Sequence, residues 1–227
     1  MMEKAEGKTE EKTRGMNGSE NRREDYYEEA VSEAKALYMT QEKSQGEYTL
    51  EDYYRIPDGD RAELIDGVLY DMAAPSPLHQ LIGGRIFRAF SDYIDRKAGT
   101  CVPAYAPLDV QLDCDDKTML QPDILIVCDR EKIRKGIIYG APDLVVEILS
   151  GSTKRKDMTV KLAKYAAAGV REYWMVDPDK KKVIVYEMED DLNVSVFGFD
   201  HEIPVRIFGG ECVVDFKAIW EYVSFLE

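Results

Sequence analysis

The sequence predicts an α/β domain with a mixed central β-sheet flanked by helices. Two β-branched runs, Met119-Leu-Gln-Pro-Asp123-Ile-Leu-Ile-Val127 and Pro142-Asp-Leu-Val-Val-Glu147-Ile-Leu149, suit strands buried on both faces of a sheet. A stripe of Leu78, Ile82, Ile86, Phe90 and Ile94 at i, i+4 spacing marks a long helix packed on that sheet. Strand and helix patterns alternate along the chain, which is the signature of layered α/β architecture. With 227 residues the chain can build one sizeable domain and an appendage.

The elements follow in order. Residues 1–23 are polar and charged with little apolar content, the composition of a disordered or peripheral segment. Residues 24–46 read as a helical extension, because Tyr27, Ala30, Val31, Ala34, Leu37 and Tyr38 fall near a 3.6 period. The domain proper is expected over 47–227. Thr49-Leu-Glu-Asp52 resembles a capping box with Asp replacing the usual Glu. Glu63-Leu-Ile-Asp-Gly-Val-Leu-Tyr-Asp-Met72 is a hairpin pattern around Asp66-Gly67, a type I′ signal. Pro75-Ser-Pro-Leu78 opens the long helix, and Gly83-Gly84 inside it implies close packing there. Strands are expected at 101–104 and 108–112, then in the two β-branched runs. A short helix or loop covers 129–135. A polar turn, Ser150-Gly-Ser-Thr153, leads into a helix over 156–168 that stops at Gly169. Further strands are expected at 172–176, 183–188, 194–198 and 203–207. Asp215 can cap a last helix over 216–225.

Composition narrows the function. A net charge of −14 argues against a protein that coats polyanions at large. It leaves room for local basic segments, here Arg130-Glu-Lys-Ile-Arg-Lys135, which reads as a solvated face, and Lys154-Arg-Lys156 with Lys161 and Lys164. No apolar run approaches the ~20 residues of a membrane span. The N-terminus has no apolar secretory core, so a cytoplasmic protein is expected. Cys101, Cys114, Cys128 and Cys212 show no Cys-x-x-Cys spacing. They read as buried free thiols in a reducing compartment rather than zinc ligands.

The chemistry-bearing residues are the acids inside the strands. A carboxylate within an apolar strand costs several kcal/mol, roughly, unless something compensates it. Asp123 and Glu147 both stand in such runs. Phosphodiester hydrolysis needs an activated water and stabilisation of charge on phosphate oxygens, and divalent ions held by strand carboxylates supply both. Mg²⁺ and Mn²⁺ take oxygen ligands of this kind, and a nearby Lys can offset developing negative charge. The pair, followed by a Lys-rich helix, looks like a metal site for phosphodiester cleavage.

Gln121-Pro-Asp123, Pro142-Asp-Leu-Val-Val-Glu147-Ile-Leu-Ser150, then Asp157, Lys161 and Tyr165, then Gly169-Val-Arg-Glu-Tyr-Trp-Met-Val-Asp177-Pro178 together resemble the Uma-type putative restriction endonuclease family. That family belongs to the PD-(D/E)xK nuclease superfamily. The resemblance extends upstream through Tyr48-Thr-Leu-Glu-Asp52, Glu63-Leu-Ile-Asp-Gly67 and Ser76-Pro-Leu-His-Gln80. It implies a restriction-endonuclease-like fold and a Mg²⁺- or Mn²⁺-dependent endonuclease acting on DNA. It also implies that Glu63, Asp123 and Glu147 are the catalytic acids and hold the metal. The superfamily's Lys position is filled here by Leu149, which makes Lys161, on the following helix, the candidate catalytic Lys. Lys156 and Lys164 are its rivals. Lys161 is preferred because Asp157 and Tyr165 lie four residues to either side, on one helical face. His79 and Gln80, at the start of the long helix, are supporting candidates with Asp157 and Tyr165. From the residues alone Tyr165 reads as core, as do Trp174 and Trp220.

Two other classes compete. The missing Lys at 149 and the acidic balance also suit a nuclease-fold binding module with weak or no catalysis. An acidic nucleic-acid mimic would instead carry its acids on the surface. The 26–43 helix is a candidate for homodimer formation, as superfamily members are often dimers.

Overall fold

The computed structural model describes residues 43–57, 59–150, 156–189 and 191–226. Residues 24–42 of the expected helical extension and the turn at 151–153 fall outside them, while residues 43–46 at its end form a turn rather than helix. Side chains are described for the same residues except 156–158.

Helix α1 (Leu50–Tyr53) starts at Thr49, whose backbone N–H and hydroxyl both donate to the Asp52 carboxylate. Strands β1 (Ala62–Ile65) and β2 (Val68–Asp71) form the expected hairpin. Asp66 and Gly67 have φ of 50° and 76°, the positive pair that a type I′ turn requires. A side chain at Gly67 would meet Gly46 O at 2.4 Å, because the preceding loop donates Gly46 N–H and Tyr48 N–H to Gly67 O.

Helix α2 (Pro77–Arg96) begins at Ser76, whose hydroxyl accepts from His79 N–H, with Pro77 at the first helical position. Ile82, Ile86, Phe90 and Ile94 are buried along one face, as the periodicity requires. Of the two glycines, only Gly83 is packed closely: a Cβ there would press on Tyr105 and Ile148, while Gly84 faces open space.

The main sheet has six strands in the order β11-β10-β9-β8-β5-β3. These are β3 (Val102–Tyr105), β5 (Ile124–Val127), β8 (Leu144–Ile148), β9 (Glu172–Asp177), β10 (Lys182–Glu187) and β11 (Asn193–Gly198). Only β8 and β9 run parallel, so the sheet is mixed as expected. One face packs on α2, on the hairpin β12 (Glu202–Val205) and β13 (Cys212–Asp215), and on α4 (Phe216–Val223). Asp215 caps α4 by accepting Ala218 N–H. Trp174 lies in this layer, fully buried, with Phe90 edge-on at 6.0 Å. The other face packs on α3 (Lys156–Ala168) and a small sheet of β4 (Asp109–Gln111), β6 (Ile133–Arg134) and β7 (Ile137–Tyr139). Strands β6, β7 and β13 have no counterpart in the sequence reading, and β6 falls in the 129–135 segment expected as a short helix or loop. They are short strands without long alternation, and their tertiary partners decide them.

The cysteines depart from expectation. Cys101 and Cys128 are joined by a disulfide, and the free thiols are Cys114, exposed, and Cys212, buried. The cause is strand pairing: Val102 opposes Val127 in the antiparallel β3–β5 ladder, so the flanking cysteines meet. Their separation of 27 residues hides this in the sequence. Thiol titration of denatured, unreduced protein should find Cys114 and Cys212 only, with Cys101 and Cys128 appearing after reduction. Titration of all the thiols before reduction would contradict the bridge. Among the described residues, no helix is long and apolar enough to cross a membrane.

Candidate active site

The site forms where β5 and β8 carry acids on one face. Ile124 pairs with Val146, so Asp123 and Glu147 are the next cross-strand neighbours. Alternation along the strands sends both toward α3, since Leu125 and Val145 belong to that layer while Ile124 and Val146 belong to the opposite one. Helix α3 then supplies Lys161 and Tyr165 on one face, four residues apart.

Lys161 is 6% exposed and bridges two acids. Its Nζ donates to Glu147 Oε1 at 3.0 Å and lies 2.9 Å and 2.7 Å from the two carboxylate oxygens of Glu63. Tyr165 OH donates to Glu147 Oε1 at 2.7 Å, so the core aromatic also touches the site. Glu63 comes in on β1, whose Leu64 bridges Met119, and accepts Gln121 N–H at 2.9 Å. Asp123 Oδ2 accepts Ile148 N–H at 2.7 Å and contacts His79 Nε2 at 3.0 Å. Gln80 accepts from Tyr105 OH at 2.6 Å. Of the rival lysines, Lys164 pairs with Asp66 and Asp113, away from the acids. The side chains of Lys156 and Asp157 are not among those described.

These groups perturb one another. Burial pushes the Glu147 carboxyl up to about 7; Lys161 opposes the rise, and the charges of Asp123 and Glu63 add to it. For Lys161, burial favours the neutral amine, but Glu147 and Glu63 outweigh it and hold the ammonium above its usual range. Burial also opposes protonation of His79, and the hydrogen bond and charge of Asp123 reverse this, raising it. Burial and then Glu147 hold Tyr165 well above the usual phenol range, so it remains a hydrogen-bond donor.

The three acids do not converge as a metal shell. Among the described residues no group of three His, Cys, Asp or Glu side chains is arranged to hold a metal ion. The reason is Lys161: its ammonium stands between Glu63 and Glu147 and takes both Glu63 oxygens. What is left suits a hard divalent ion in chemistry. Oδ1 of Asp123 and Oε2 of Glu147 carry no hydrogen bond among the described residues, and both acids line a cavity of about 580 Å³. Glu63, His79, Gln80, Lys161, Tyr173 and Arg61 line it too.

Arg61 and the side chain of Gln121 are the site residues that sequence reasoning missed. Arg61 lies two positions before Glu63 on an extended segment, the spacing that puts two side chains on one face. That period was the available signal.

Not every buried acid belongs to the site. Glu172 is fully buried in the opposite layer, where it accepts Trp174 Nε1–H at 2.7 Å and Ile207 N–H at 2.9 Å. Its partners are structural donors, and it lines no part of the cavity.

Comparison with known proteins agrees with this architecture. The crystal structure of a putative nuclease belonging to DUF820 from Anabaena variabilis ATCC 29413 matches with a TM-score of 0.64 at 22% identity, over 77% of this chain and 98% of that one. The likeness shows the fold alone, a mixed central sheet flanked by helices. Uncharacterized protein slr1290 of Synechocystis sp. (strain ATCC 27184 / PCC 6803 / Kazusa) is 28% identical over 133 residues, 58% of this chain and 68% of that protein. The profile of the Uma2 family, described as putative restriction endonuclease, matches residues 50–214. That span runs from α1 through the acid-bearing strands to β13, and the chain belongs to the Uma2 family of putative restriction endonucleases.

Proposed function

We propose that this chain is a divalent-metal-dependent endonuclease that hydrolyses phosphodiester bonds in DNA. The observation that carries it is the placement of Asp123 and Glu147 side by side on one sheet face, with Lys161 Nζ 3.0 Å from Glu147, on the wall of a cavity. Asp123 and Glu147 would hold Mg²⁺ or Mn²⁺ through their unengaged oxygens. When bound, such an ion supplies an activated water and a Lewis acid at the phosphate. The chain's own groups do the rest. Ile148 N–H and His79 fix the Asp123 carboxylate. Tyr165 and Lys161 fix Glu147. Glu63 holds the Lys161 ammonium at the cavity wall, where its charge offsets negative charge gathering on phosphate oxygens.

Plasmid DNA tests the reading. Wild-type protein should nick or linearise it with Mg²⁺ or Mn²⁺ and stop on chelation. Asp123→Asn should leave the plasmid intact under the same conditions. Equal cleavage by the two proteins would sink the assignment.

One observation favours a second reading, a nuclease-fold binding module. The Glu63–Lys161–Glu147 contact satisfies its own charges without an ion. Calorimetric titration with Mn²⁺ separates the two, because the nuclease reading requires binding that Asp123→Asn weakens.

A further inference from the structure

A pocket for a phosphodiester has to solve a problem of charge. Glu63, Asp71, Asp123 and Glu147 all line this one, and a phosphate brings more negative charge to it. Two cationic side chains stand against them, Lys161 and Arg61. Lys161 is engaged on both sides, by Glu63 and by Glu147. Arg61 forms no ion pair among the described residues. Its side-chain hydrogen bond runs from Nη2 to a neutral acceptor, Gln121 Oε1, at 2.9 Å. Its Nε is buried and has no partner.

The guanidinium is also held in place. Gln121 donates its amide N–H₂ to Asp109 at 2.8 Å and to Tyr53 OH at 2.9 Å, and Tyr53 in turn donates to Asp109. That fixes the amide, and its carbonyl is what remains for Arg61. A charged donor positioned from behind, with no carboxylate of its own and with Nη1 neither buried nor hydrogen-bonded among the described residues, offers the cavity N–H groups for which the chain provides no acceptor. Arginine keeps its charge at any working pH, and its planar fork matches two oxygens of one phosphate.

We propose that Arg61 is the phosphate-binding residue of this pocket, and that it holds a backbone phosphate oxygen of the nucleic acid beside Asp123 and Glu147. The identity of the ligand rests on the nuclease reading; the anion seat does not. Arg61 thereby answers the acidity of the wall, since it contributes the one charge there that no neighbouring carboxylate neutralises among the described residues.

Fluorescence anisotropy with a short labelled DNA duplex, in chelator and over a range of salt concentrations, tests this apart from cleavage. Arg61→Ala should weaken binding roughly tenfold and reduce the slope of log K against log salt by about 1, the signature of one lost phosphate contact. Arg61→Lys should keep the slope and still bind more weakly than wild type, since it keeps the charge without the fork. An Arg61 that merely braces Gln121 would leave the slope unchanged in Arg61→Ala, and that result would overturn the proposal. If Arg61→Ala does not fold, Arg61→Lys decides, and wild-type affinity in it overturns the proposal. If wild-type protein binds no duplex in chelator, inorganic phosphate becomes the probe, and the nuclease reading is left to the plasmid assay with Mg²⁺ or Mn²⁺. Thermal stabilisation by phosphate that is lost in Arg61→Lys would still support the seat, and equal response in both proteins would refute it.

Discussion

Lys161→Met should destabilise the domain by about 3–5 kcal/mol, the cost of leaving buried carboxylates without their counter-charge. The three residues are buried together: Lys161 is 6% exposed, Glu63 5% and Glu147 9%. Methionine keeps the unbranched stem out to Cε and lacks only the terminal ammonium, so lost packing contributes little. Glu147 already sits where burial disfavours its ionised form, and Lys161 is the principal group opposing that. Adding Glu63→Gln and Glu147→Gln to Lys161→Met should recover most of the loss, because no unpaired charge then remains. Urea unfolding of the single and triple variants measures both effects. A loss below about 1 kcal/mol in Lys161→Met would mean that water reaches these groups and the bridge is a weak surface pair.

Glu147→Gln should behave in the opposite way, with a large loss of cleavage and little loss of stability. Glutamine keeps an oxygen that accepts from Tyr165 OH and Lys161 Nζ, while Lys161 retains Glu63 at 2.7 Å. Removing a burdened buried charge offsets whatever packing is disturbed, so the unfolding free energy should change by no more than about 1 kcal/mol. On the proposed role of Glu147 as an anionic oxygen ligand to the ion, cleavage should fall by about 10³-fold, the loss of several kcal/mol of transition-state stabilisation. Single-turnover plasmid cleavage with Mn²⁺ gives the rate, and calorimetry gives the metal affinity. If cleavage persisted while stability collapsed, Glu147 would be a structural acid, as Glu172 is.

The contrast between these variants separates what was legible in the chain from what was not. Asp123 and Glu147 were visible because an acid within an apolar β-branched run contradicts its surroundings, and that contradiction is local. The family resemblance pointed to a lysine on the helix after Glu147, and helical spacing chose Lys161 over its rivals, since positions 157, 161 and 165 share a face whatever that face touches. The hairpin at Asp66-Gly67 and the start of α2 at Ser76 were legible for the same reason. Their backbone demands are met within a few residues. The β3–β5 disulfide was not legible, because nothing near Cys101 names Cys128 as the residue across the ladder.

Glu63 shows the boundary most clearly. As a sequence position it is an acid near a hairpin, and the family resemblance makes it a metal ligand. In the folded chain, Leu64 bridging Met119 brings it to Gln121 N–H and to Lys161, and it becomes the counter-ion of a buried ammonium. Arg61 was passed over, because its two-residue spacing from Glu63 places it on the same face without saying what that face touches.

By itself the sequence determined the α/β class, the long helix over the sheet, the two strand-borne acids and the lysine-bearing helix. Each follows from periodicity or from chemistry confined to one segment. The tertiary structure alone decided which two acids Lys161 bridges, that Glu63 holds the lysine rather than standing open beside the other acids, and that Arg61 forms no ion pair on the cavity wall among the described residues. Those outcomes depend on distances between segments far apart in the chain, and pairwise electrostatics at about 3 Å is set by strand register and helix packing, which no local pattern encodes.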